Sequence, residues 1–310
     1  MSALRIGTRG SKLALWQAEH LREALAVRCG VDAEIVIVKT AGDVNAAAPV
    51  EQLGTGVFTA ELEQALIDGR ADIAMHSMKD VPTDFSAACR IECVFEREDP
   101  RDVLISRTGS GLASLAGGSR IGTSSLRRAS QLRRARPDIE ILEIRGNVDT
   151  RLRRLDEGAY DAIVLARAGV VRLGLEARIT EVLSPDVVLP AVGQGALAAE
   201  YLAVRAEEFR FVRELSDRAT ALAVEAERGL QRELQGGCRL PLGAWARFVG
   251  DDLVIDAVVL AENGKREIRG GGRAACKTYA EALTLGATVA REMLGSGAGE
   301  LLAAAGREVL

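Results

Sequence analysis

Ala71-Asp-Ile-Ala-Met-His-Ser-Met-Lys-Asp-Val-Pro82 is an apolar run that ends abruptly in polar side chains and a proline. Its first part, Ala71 to Met75, is typical of a buried strand. Upstream, short apolar runs alternate with longer segments of helical spacing, and this alternation predicts a parallel, doubly wound sheet. The predicted strands there are Leu4 to Thr8 and Ala33 to Lys39, and the predicted helices are Leu13 to Arg28 and Val57 to Ile67.

A second α/β unit begins after the charged stretch Glu96-Arg-Glu-Asp-Pro-Arg101. The alternation restarts there and closes at the Gly/Pro-rich segment Leu189 to Gly195, which we expect to return the chain to the first unit. The predicted strands of this unit are Ser119 to Gly122, Ile139 to Ile144 and Ala162 to Ala166, and its predicted helices are Ser125 to Arg134 and Val148 to Leu155.

The last third of the chain has a different pattern. Asp217 to Leu234 has the spacing of a long amphipathic helix, and strand-like runs flank an Asn263-Gly264 turn, which is a strong hairpin signal. A helix is predicted from Tyr279 to Leu294. The sequence therefore predicts two doubly wound α/β lobes and a small α+β domain. The predicted domains are residues 1–96 with 196–216, residues 101–192 and residues 217–310.

The charge distribution separates one segment from the rest. The 310-residue chain has a formal net charge of −4, with 35 arginines and five lysines. Between Arg101 and Arg154 there are twelve arginines, no lysine and five acidic residues. Codon bias with a solvated surface would explain this composition. A guanidinium-lined cleft for carboxylates or phosphates would also explain it, because the planar fork of arginine fits either anion.

The polar end of the opening stretch is the first candidate site. Ligands bind parallel α/β sheets at the carboxyl ends of strands. There Asp80 could stabilise a cation or shuttle protons, and Lys79 could keep it ionised or bind a substrate carboxylate. A capped turn with a surface ion pair is the alternative. His76 is one of only two histidines, so we expect a packed, hydrogen-bonded His76 and no metal site.

Two strand-to-helix junctions in the second unit are candidate anion sites. In Gly122-Thr-Ser-Ser-Leu-Arg-Arg128, free N–H groups, the helix dipole and hydroxyl groups would attract an anion. In Ile144-Arg-Gly-Asn-Val-Asp-Thr-Arg151, two arginines flank a similar turn. Ordinary N-caps at Thr123 and Ser124 are the alternative for the first junction. Separate surface arginines are the alternative for the second.

Cys238 is the fourth candidate. It follows Gly236-Gly237 and precedes Arg239, a composition that predicts a flexible, exposed loop with a positive neighbour, where thiolates are reactive. A structural cysteine is the alternative. The remaining cysteines are predicted to pack within apolar elements; they are Cys29, Cys89, Cys93 and Cys276.

Six segments, in this order and spacing over essentially the whole chain, resemble the signature segments of the porphobilinogen deaminases. They are Arg5–Gln17, His76–Pro82, Gly122–Arg128, Arg145–Arg151, Leu189–Gly195 and Gly236–Pro241. The resemblance implies two lobes like those of type II periplasmic binding proteins, an active site in the cleft between them, and a third domain that carries the cofactor on a loop. The implied reaction joins four porphobilinogen molecules head to tail with release of ammonia and ends in hydrolysis to hydroxymethylbilane.

The resemblance also implies roles for individual residues. Asp80 would be the catalytic aspartate, and Cys238 would attach a dipyrromethane cofactor through a thioether. Many relatives have lysines where Thr55 and Ala60 stand here, a departure that bears on loop function and turnover rate. The residues implied to hold cofactor or substrate carboxylates are Arg9, Ser11, Lys79, Thr123, Ser125, Arg127, Arg128, Arg145 and Arg151, with Phe58, Ser77, Ser124, Arg172 and Gln194 as further candidates.

The remaining expectations concern location and partners. The opening MSALRIGTRG has no apolar signal segment, and no run approaches the roughly 20 apolar residues of a membrane helix. We therefore expect a cytoplasmic monomer with reduced thiols and without membrane or nucleic-acid partners. The alternative function is a non-enzymatic carboxylate-binding protein of the periplasmic-binder type, which leaves the third domain without a purpose. Incomplete glycine motifs and the acidic net charge disfavour a nucleotide-dependent enzyme or DNA-binding regulator.

Overall fold

The computed structural model describes residues 3–39, 59–83, 86–235 and 240–308, with side chains described up to residue 305. A π-helical turn, Leu25–Cys29, extends the first helix, and Gly30 ends it at φ +66°, a region that suits glycine. The first elements are β1 (Leu4–Thr8), α1 (Lys12–Ala24), β2 (Ala33–Ile37), α2 (Ala60–Ile67), β3 (Ile73–Ser77) and β4 (Cys89–Val94).

The chain then crosses into a second lobe and returns to the first. The elements of the second lobe are β5 (Asp102–Ser106), β6 (Arg120–Gly122), α3 (Leu126–Ala135), β7 (Glu140–Leu142), α4 (Val148–Asp156), β8 (Ala162–Ala166), α5 (Arg167–Arg172) and β9 (Glu181–Val182). The returning chain forms β10 (Leu197–Leu202) and α6 (Arg210–Glu214). Two crossovers therefore join the lobes, residues 95–101 and residues 183–196.

The two lobes have the same sheet topology. The first sheet has the order β2-β1-β3-β10-β4 and the second has the order β7-β6-β8-β5-β9. In each sheet the first three strands are parallel, and the fourth, which is the strand that enters from the other lobe, is antiparallel to its neighbours. The carboxyl ends of β1, β3, β6 and β7 carry the polar segments identified in the sequence.

The third domain is an antiparallel meander covered by helices. Its elements are α7 (Arg218–Glu233), β11 (Leu242–Val249), β12 (Asp252–Leu260), β13 (Glu267–Ala274), α8 (Tyr279–Gly295) and α9 (Ala298–Glu308). Helices α7 and α8 cross in close contact at Gly286. A Cβ at this position would lie 1.9 Å from the Ala226 carbonyl oxygen, so the crossing leaves no room for a side chain. Asp217 caps α7 by accepting a 2.7 Å hydrogen bond from Thr220 N, and a capping box of Thr278 and Glu281 begins α8.

These elements confirm the predicted fold class of two α/β lobes and a small α+β domain. The predicted all-parallel sheet is incomplete, since each sheet contains an antiparallel strand supplied by a crossover. Strand β11 was not predicted, because Trp245 and Arg247 interrupt its apolar pattern. The domain limits remain a prediction. Within the described ranges, no helix has the length and apolar character needed to cross a membrane.

Candidate active site between the lobes

The first lobe presents Asp80 at the end of β3. A 3-10 turn, Met78–Asp80, follows the strand, and its Met78 N–H donates to the Ala196 carbonyl at 3.0 Å. Asp80 is exposed, and within the described ranges its carboxylate has no hydrogen-bond partner. Gly193 packs against the turn with φ +70°, and a Cβ there would lie 2.7 Å from Met78 Cγ. Backbone contacts to the second crossover therefore set the position of Asp80.

Lys79 is half-buried beside Asp80. The pKa of Lys79 is lowered to about 8, chiefly by burial; the charges of Arg128 and Arg127 also lower it, while Asp80 and Asp102 oppose the shift. A buried ammonium group whose charge is only partly neutralised is a binding group for an anion. The effect of Arg128 and Arg127 on the pKa of Lys79 also places the Asp80 turn near these arginines of the second lobe.

A small cavity of about 70 Å³ lies next to Asp80 in the first lobe, and Arg9, Ser11 and Ser77 line it. Ser11 caps α1 by accepting a 3.3 Å hydrogen bond from Ala14 N, and Ser77 accepts one of 2.8 Å from Gln17 Nε2. Each hydroxyl that accepts a bond in this way keeps its own hydrogen for a ligand.

Gln17 itself was missed in the sequence analysis. It is buried, at 3% exposure. The available signal was its position four residues before Leu21, on the apolar face of α1.

The junction between β6 and α3 uses its hydroxyl groups in two ways. Thr123 Oγ1 accepts from Ser125 N at 3.2 Å, and Ser125 Oγ accepts from Arg128 N at 3.4 Å as the N-cap of α3. Both keep a hydrogen to donate. Ser124 differs, because its Oγ donates to the Ile144 carbonyl at 2.6 Å. The structure gives Ser124 an internal role, whereas Thr123 and Ser125 remain candidate donors to a ligand carboxylate.

Arg127 and Arg128 share one buried carboxylate that the sequence did not reveal. Asp102 is fully buried, and its oxygens lie 2.7 Å from Arg127 Nη1 and 2.7 Å from Arg128 Nη2. Burial alone would raise the pKa of Asp102, but the two guanidinium groups hold it well below its usual range. Two cations facing one anion leave a net positive charge. Their direct contact with a ligand remains a prediction.

Gln194 belongs to the same network. Its amide donates to the Pro100 carbonyl at 2.6 Å and to Asp102 at 2.9 Å, and the side chain is 1% exposed. Gln194 lies in the second crossover and Pro100 in the first. The structure therefore places Gln194 as a link between the crossovers, a role that was not predicted from the sequence.

The junction before α4 brings Arg151 toward Asp80. Arg151 Nε donates to the Gly146 carbonyl at 2.8 Å. The pKa of Arg151 is lowered to about 10, chiefly by burial; the charge of Arg128 also lowers it, and the charge of Asp80 raises it. Arg145 lies at the other end of the turn, where Glu143 accepts its Nε hydrogen at 2.6 Å.

Arg172, at the end of α5, completes the boundary between the lobes. Its guanidinium carbon lies 5.7 Å from the centre of the Trp16 ring of α1. Its Nη2 donates to the Gly195 carbonyl at 2.6 Å, and burial lowers its pKa to about 10. A second contact joins the lobes nearby, between Lys12 Nζ and Asp149 Oδ2 at 3.2 Å. The carboxyl ends of β1, β3 and β6 and the turn before α4 therefore face one another across a shared cleft.

Several sequence predictions lie elsewhere. The predicted packed His76 is confirmed, since its Nε2 lies 2.7 Å from Glu200 Oε2 and the ring is buried. Cys89, Cys93 and Cys276 are buried as predicted, and Cys29 is partly buried. Two predicted site residues, Phe58 and Cys238, fall outside the described residues, as does Thr55.

Comparison with known proteins identifies the family. A model described as the porphobilinogen deaminase dipyromethane cofactor binding domain matches residues 4–209, and a model of the porphobilinogen deaminase C-terminal domain matches residues 221–295. The chain belongs to the porphobilinogen deaminase family. It therefore contains the family's cofactor-binding domain, and the family match does not support the alternative of a non-enzymatic carboxylate binder.

Relatives of this family cover nearly the whole chain. The porphobilinogen deaminase of Bordetella parapertussis is 47% identical over 97% of this chain and 95% of that protein. That of Nitratidesulfovibrio vulgaris is 45% identical over 98% of this chain and 97% of that protein. Among solved structures, the periplasmic VFT2 domain of Bordetella pertussis BvgS covers 69% of this chain and 86% of its own at 17% identity, with a TM-score of 0.42, a likeness too weak to carry an argument.

Proposed function

We propose that this chain carries out porphobilinogen deamination in the cleft between its lobes, with Asp80 beside the reacting pyrrole and cations of both lobes on the ring carboxylates. The reaction joins four porphobilinogen molecules head to tail, releases ammonia at each addition and ends with hydrolysis to hydroxymethylbilane. The observation that carries the assignment of roles is an exposed carboxylate at the end of β3, without a hydrogen-bond partner among the described residues, near Lys79 of the same turn and Arg151 of the other lobe, whose pKa values burial lowers.

Asp80 acts on the positive charge of the substrate. As ammonia leaves the aminomethyl carbon, positive charge develops on the pyrrole ring, and an ionised carboxylate close to the ring stabilises it. The same carboxylate accepts hydrogen bonds from pyrrole N–H groups.

The cations and hydroxyl groups hold the acetate and propionate groups of the pyrroles. Carboxylates fit guanidinium forks and hydroxyl donors. Burial lowers the pKa of both Lys79 and Arg151, and a bound carboxylate would relieve that penalty. The residues that we assign to this role are Arg9, Ser11, Lys79, Thr123, Ser125, Arg145 and Arg151, with Arg128 and Arg172 at the edges of the cleft.

The same residues fit a bound dipyrromethane, since its rings carry the same acidic groups. When bound, this cofactor supplies the nucleophilic pyrrole carbon to which the first substrate is joined. We assign its attachment to Cys238, four residues after the C-cap of α7 at Leu234. At every addition, the cations then hold the carboxylates of a pyrrole at the same place in the cleft, and Asp80 stabilises the positive charge on its ring.

Intact mass spectrometry with a turnover assay tests this proposal. The purified protein should carry the mass of a dipyrromethane, and Cys238→Ala should lack it, while Cys276→Ala, at a buried cysteine of the third domain, should keep it. The wild type should convert porphobilinogen to hydroxymethylbilane and release ammonia. An adduct that persists in Cys238→Ala would overturn the attachment site, and a wild type that forms no hydroxymethylbilane would overturn the function.

We also propose that the protein works as a cytoplasmic monomer without nucleic-acid partners. The net charge of −4 supports the last point, because polyanion binding needs an electropositive surface. Size-exclusion chromatography with light scattering tests the monomer, and a mass near twice 32.9 kDa would contradict it.

A further inference from the structure

We propose that Arg228 is a positioning residue for Asp80, holding from the third domain the chain that immediately follows the aspartate. The inference rests on the proposed role of Asp80 and extends it to a side chain that lies on another domain. Arg228 belongs to α7, the helix that leads toward the predicted cofactor cysteine.

Arg228 donates hydrogen bonds to one short segment among the described residues. Its Nη2 donates to the carbonyls of Pro82 at 2.8 Å and Thr83 at 3.1 Å, and its Nη1 donates to the carbonyl of Val81 at 3.4 Å. Arg228 is 6% exposed; its bond to Val81 is buried, and its bonds to Pro82 and Thr83 are partly buried. One guanidinium group therefore holds three successive carbonyls directly after Asp80.

This contact adds to the 3.1 Å hydrogen bond from Val81 N–H to the Met78 carbonyl, which holds the far side of the turn locally. The Asp80 carboxylate has no hydrogen-bond partner within the described ranges, so its position follows the backbone. On the near side, Met78 N–H bonds to Ala196. On the far side, Pro82 has no N–H to donate, and removing the guanidinium would take a donor from the carbonyls of Val81, Pro82 and Thr83.

The residue before Arg228 ties the same helix to the near side of the turn. Glu227 is fully buried and accepts hydrogen bonds from Arg97 Nη1 at 2.6 Å, Gly193 N at 2.7 Å and Ala246 N at 2.8 Å. Gly193 packs directly against Met78. Glu227 and Arg228 of α7 thus contact both crossovers and both sides of the Asp80 turn. Hydrogen bonds therefore connect the third domain to the segment that carries the catalytic carboxylate.

A purely structural role for Arg228 would lower stability without changing the chemistry of the folded enzyme. A positioning role predicts a different pattern. Arg228→Lys keeps the charge, but a single ammonium group cannot match the fork that reaches the carbonyls. The turn should then loosen, and a displacement on the order of 1 Å at the reacting carboxylate can cost up to about a hundredfold in rate.

The experiment compares the wild-type holoenzyme with Arg228→Lys and Arg228→Gln. We expect kcat per folded molecule to fall by about tenfold to a hundredfold with KM for porphobilinogen changed less than about threefold. Hydrogen exchange should quicken in a peptide spanning residues 76–83 and stay unchanged in a peptide from α3. Arg232→Lys, at an exposed arginine one turn further along α7, is the matched control and should behave as wild type.

Other outcomes would overturn the inference. These are a kcat per folded molecule at the wild-type level in both variants, a change confined to KM, or faster exchange throughout the protein without a local effect at residues 76–83. A wild type that fails to condense porphobilinogen would instead refute the proposed function, so the two failures are distinguishable.

Discussion

The two lobes have the same strand order but present opposite chemistry at the ends of their third strands. β1 and β6 occupy equivalent positions, and each leads to a serine, Ser11 or Ser125, that caps the following helix by accepting a backbone N–H. β3 and β8 are also equivalent, but β3 ends in the short turn that exposes Asp80, whereas β8 runs directly into α5, which ends at Arg172.

The buried acidic residues of the two lobes also have different partners. In the first lobe, the fourth strand, β10, carries Glu200, which pairs with His76. In the second lobe, the fourth strand, β5, begins with Asp102, which pairs with Arg127 and Arg128. The repeated strand order therefore places polar groups at equivalent strand ends in both lobes. A few residue differences determine whether each end carries a negative or a positive charge. Under the proposed function, the first lobe supplies the reacting carboxylate together with Arg9 and Lys79, and the second supplies the other binding cations.

The largest expected effect is on turnover, at Asp80. Asp80→Asn keeps the shape of the side chain but removes the negative charge that stabilises the developing cation, so kcat should fall about a thousandfold. KM should change much less, since the substrate carboxylates are held by other residues. Steady-state kinetics with porphobilinogen measures both. Asp68→Asn, at an exposed aspartate of the same lobe, is the control; an Asp80→Asn rate within tenfold of the control would refute the assignment.

The next largest effect is on stability, at Asp102. Asp102→Asn leaves two buried guanidinium groups without a counter-charge, so we expect the free energy of unfolding to fall by about 3–5 kcal/mol. Urea denaturation followed by circular dichroism measures it. Asp138→Asn removes a solvent-exposed partner of Arg136 and should have little effect. Equal losses in the two variants would show that burial of the Asp102 network contributes nothing.

The stabilising effect of Asp102 should also depend on pH. Because its pKa is lowered in the folded state, the stabilisation is complete above the unfolded-state value, roughly 4, and is lost as the pH falls below it. The wild type should therefore lose stability more steeply than Asp102→Asn when acidified from pH 5 to pH 3. Parallel curves for the two proteins would mean that other carboxylates dominate the acid transition.

The third effect is on substrate affinity, at Arg151. A charge-assisted hydrogen bond contributes about 1.5–3 kcal/mol, so Arg151→Gln should raise KM about tenfold to a hundredfold and reduce kcat less. Arg153→Gln, on the exposed face of the same helix and paired with Glu157, is the control and should leave KM unchanged. A KM for Arg151→Gln that matches the control would remove Arg151 from the binding site.

The strand ends could be predicted from the sequence, and the partners of the arginines could not. The strand ends that precede Asp80, Ser125 and Arg151 were predicted because apolar runs that stop at polar residues mark the carboxyl ends of strands, where ligands bind. The Asp102 network was missed because burial of a carboxylate depends on packing between β5, α3 and the second crossover, and no local pattern reports it.

Long-range contacts account for the other omissions. The bonds from Arg228 to residues near Asp80 span about 146 positions, and a polar residue on an amphipathic helix is ordinarily interpreted as exposed. Strands β5 and β10 were also not predicted, and their antiparallel direction depends on the crossovers that deliver them, which no local pattern reports.

The smallest expected effect is the pH dependence of ligand affinity through Lys79, the one cation of the first-lobe turn. In the ligand-free chain its pKa is lowered to about 8, so a rise from pH 7 to pH 9 removes its charge from the binding site. A pyrrole dicarboxylate without the aminomethyl group binds without reacting, and its affinity, measured by calorimetry, should fall about threefold to tenfold over that range. Because a bound carboxylate raises the pKa of Lys79, binding above pH 8 should also take up protons, which calorimetry in buffers of different ionisation enthalpy detects. In Lys79→Gln the affinity should be lower at pH 7 and nearly constant to pH 9. If that variant keeps the wild-type slope, the pH dependence comes from another group, and Lys79 is not the titrating cation of the binding site.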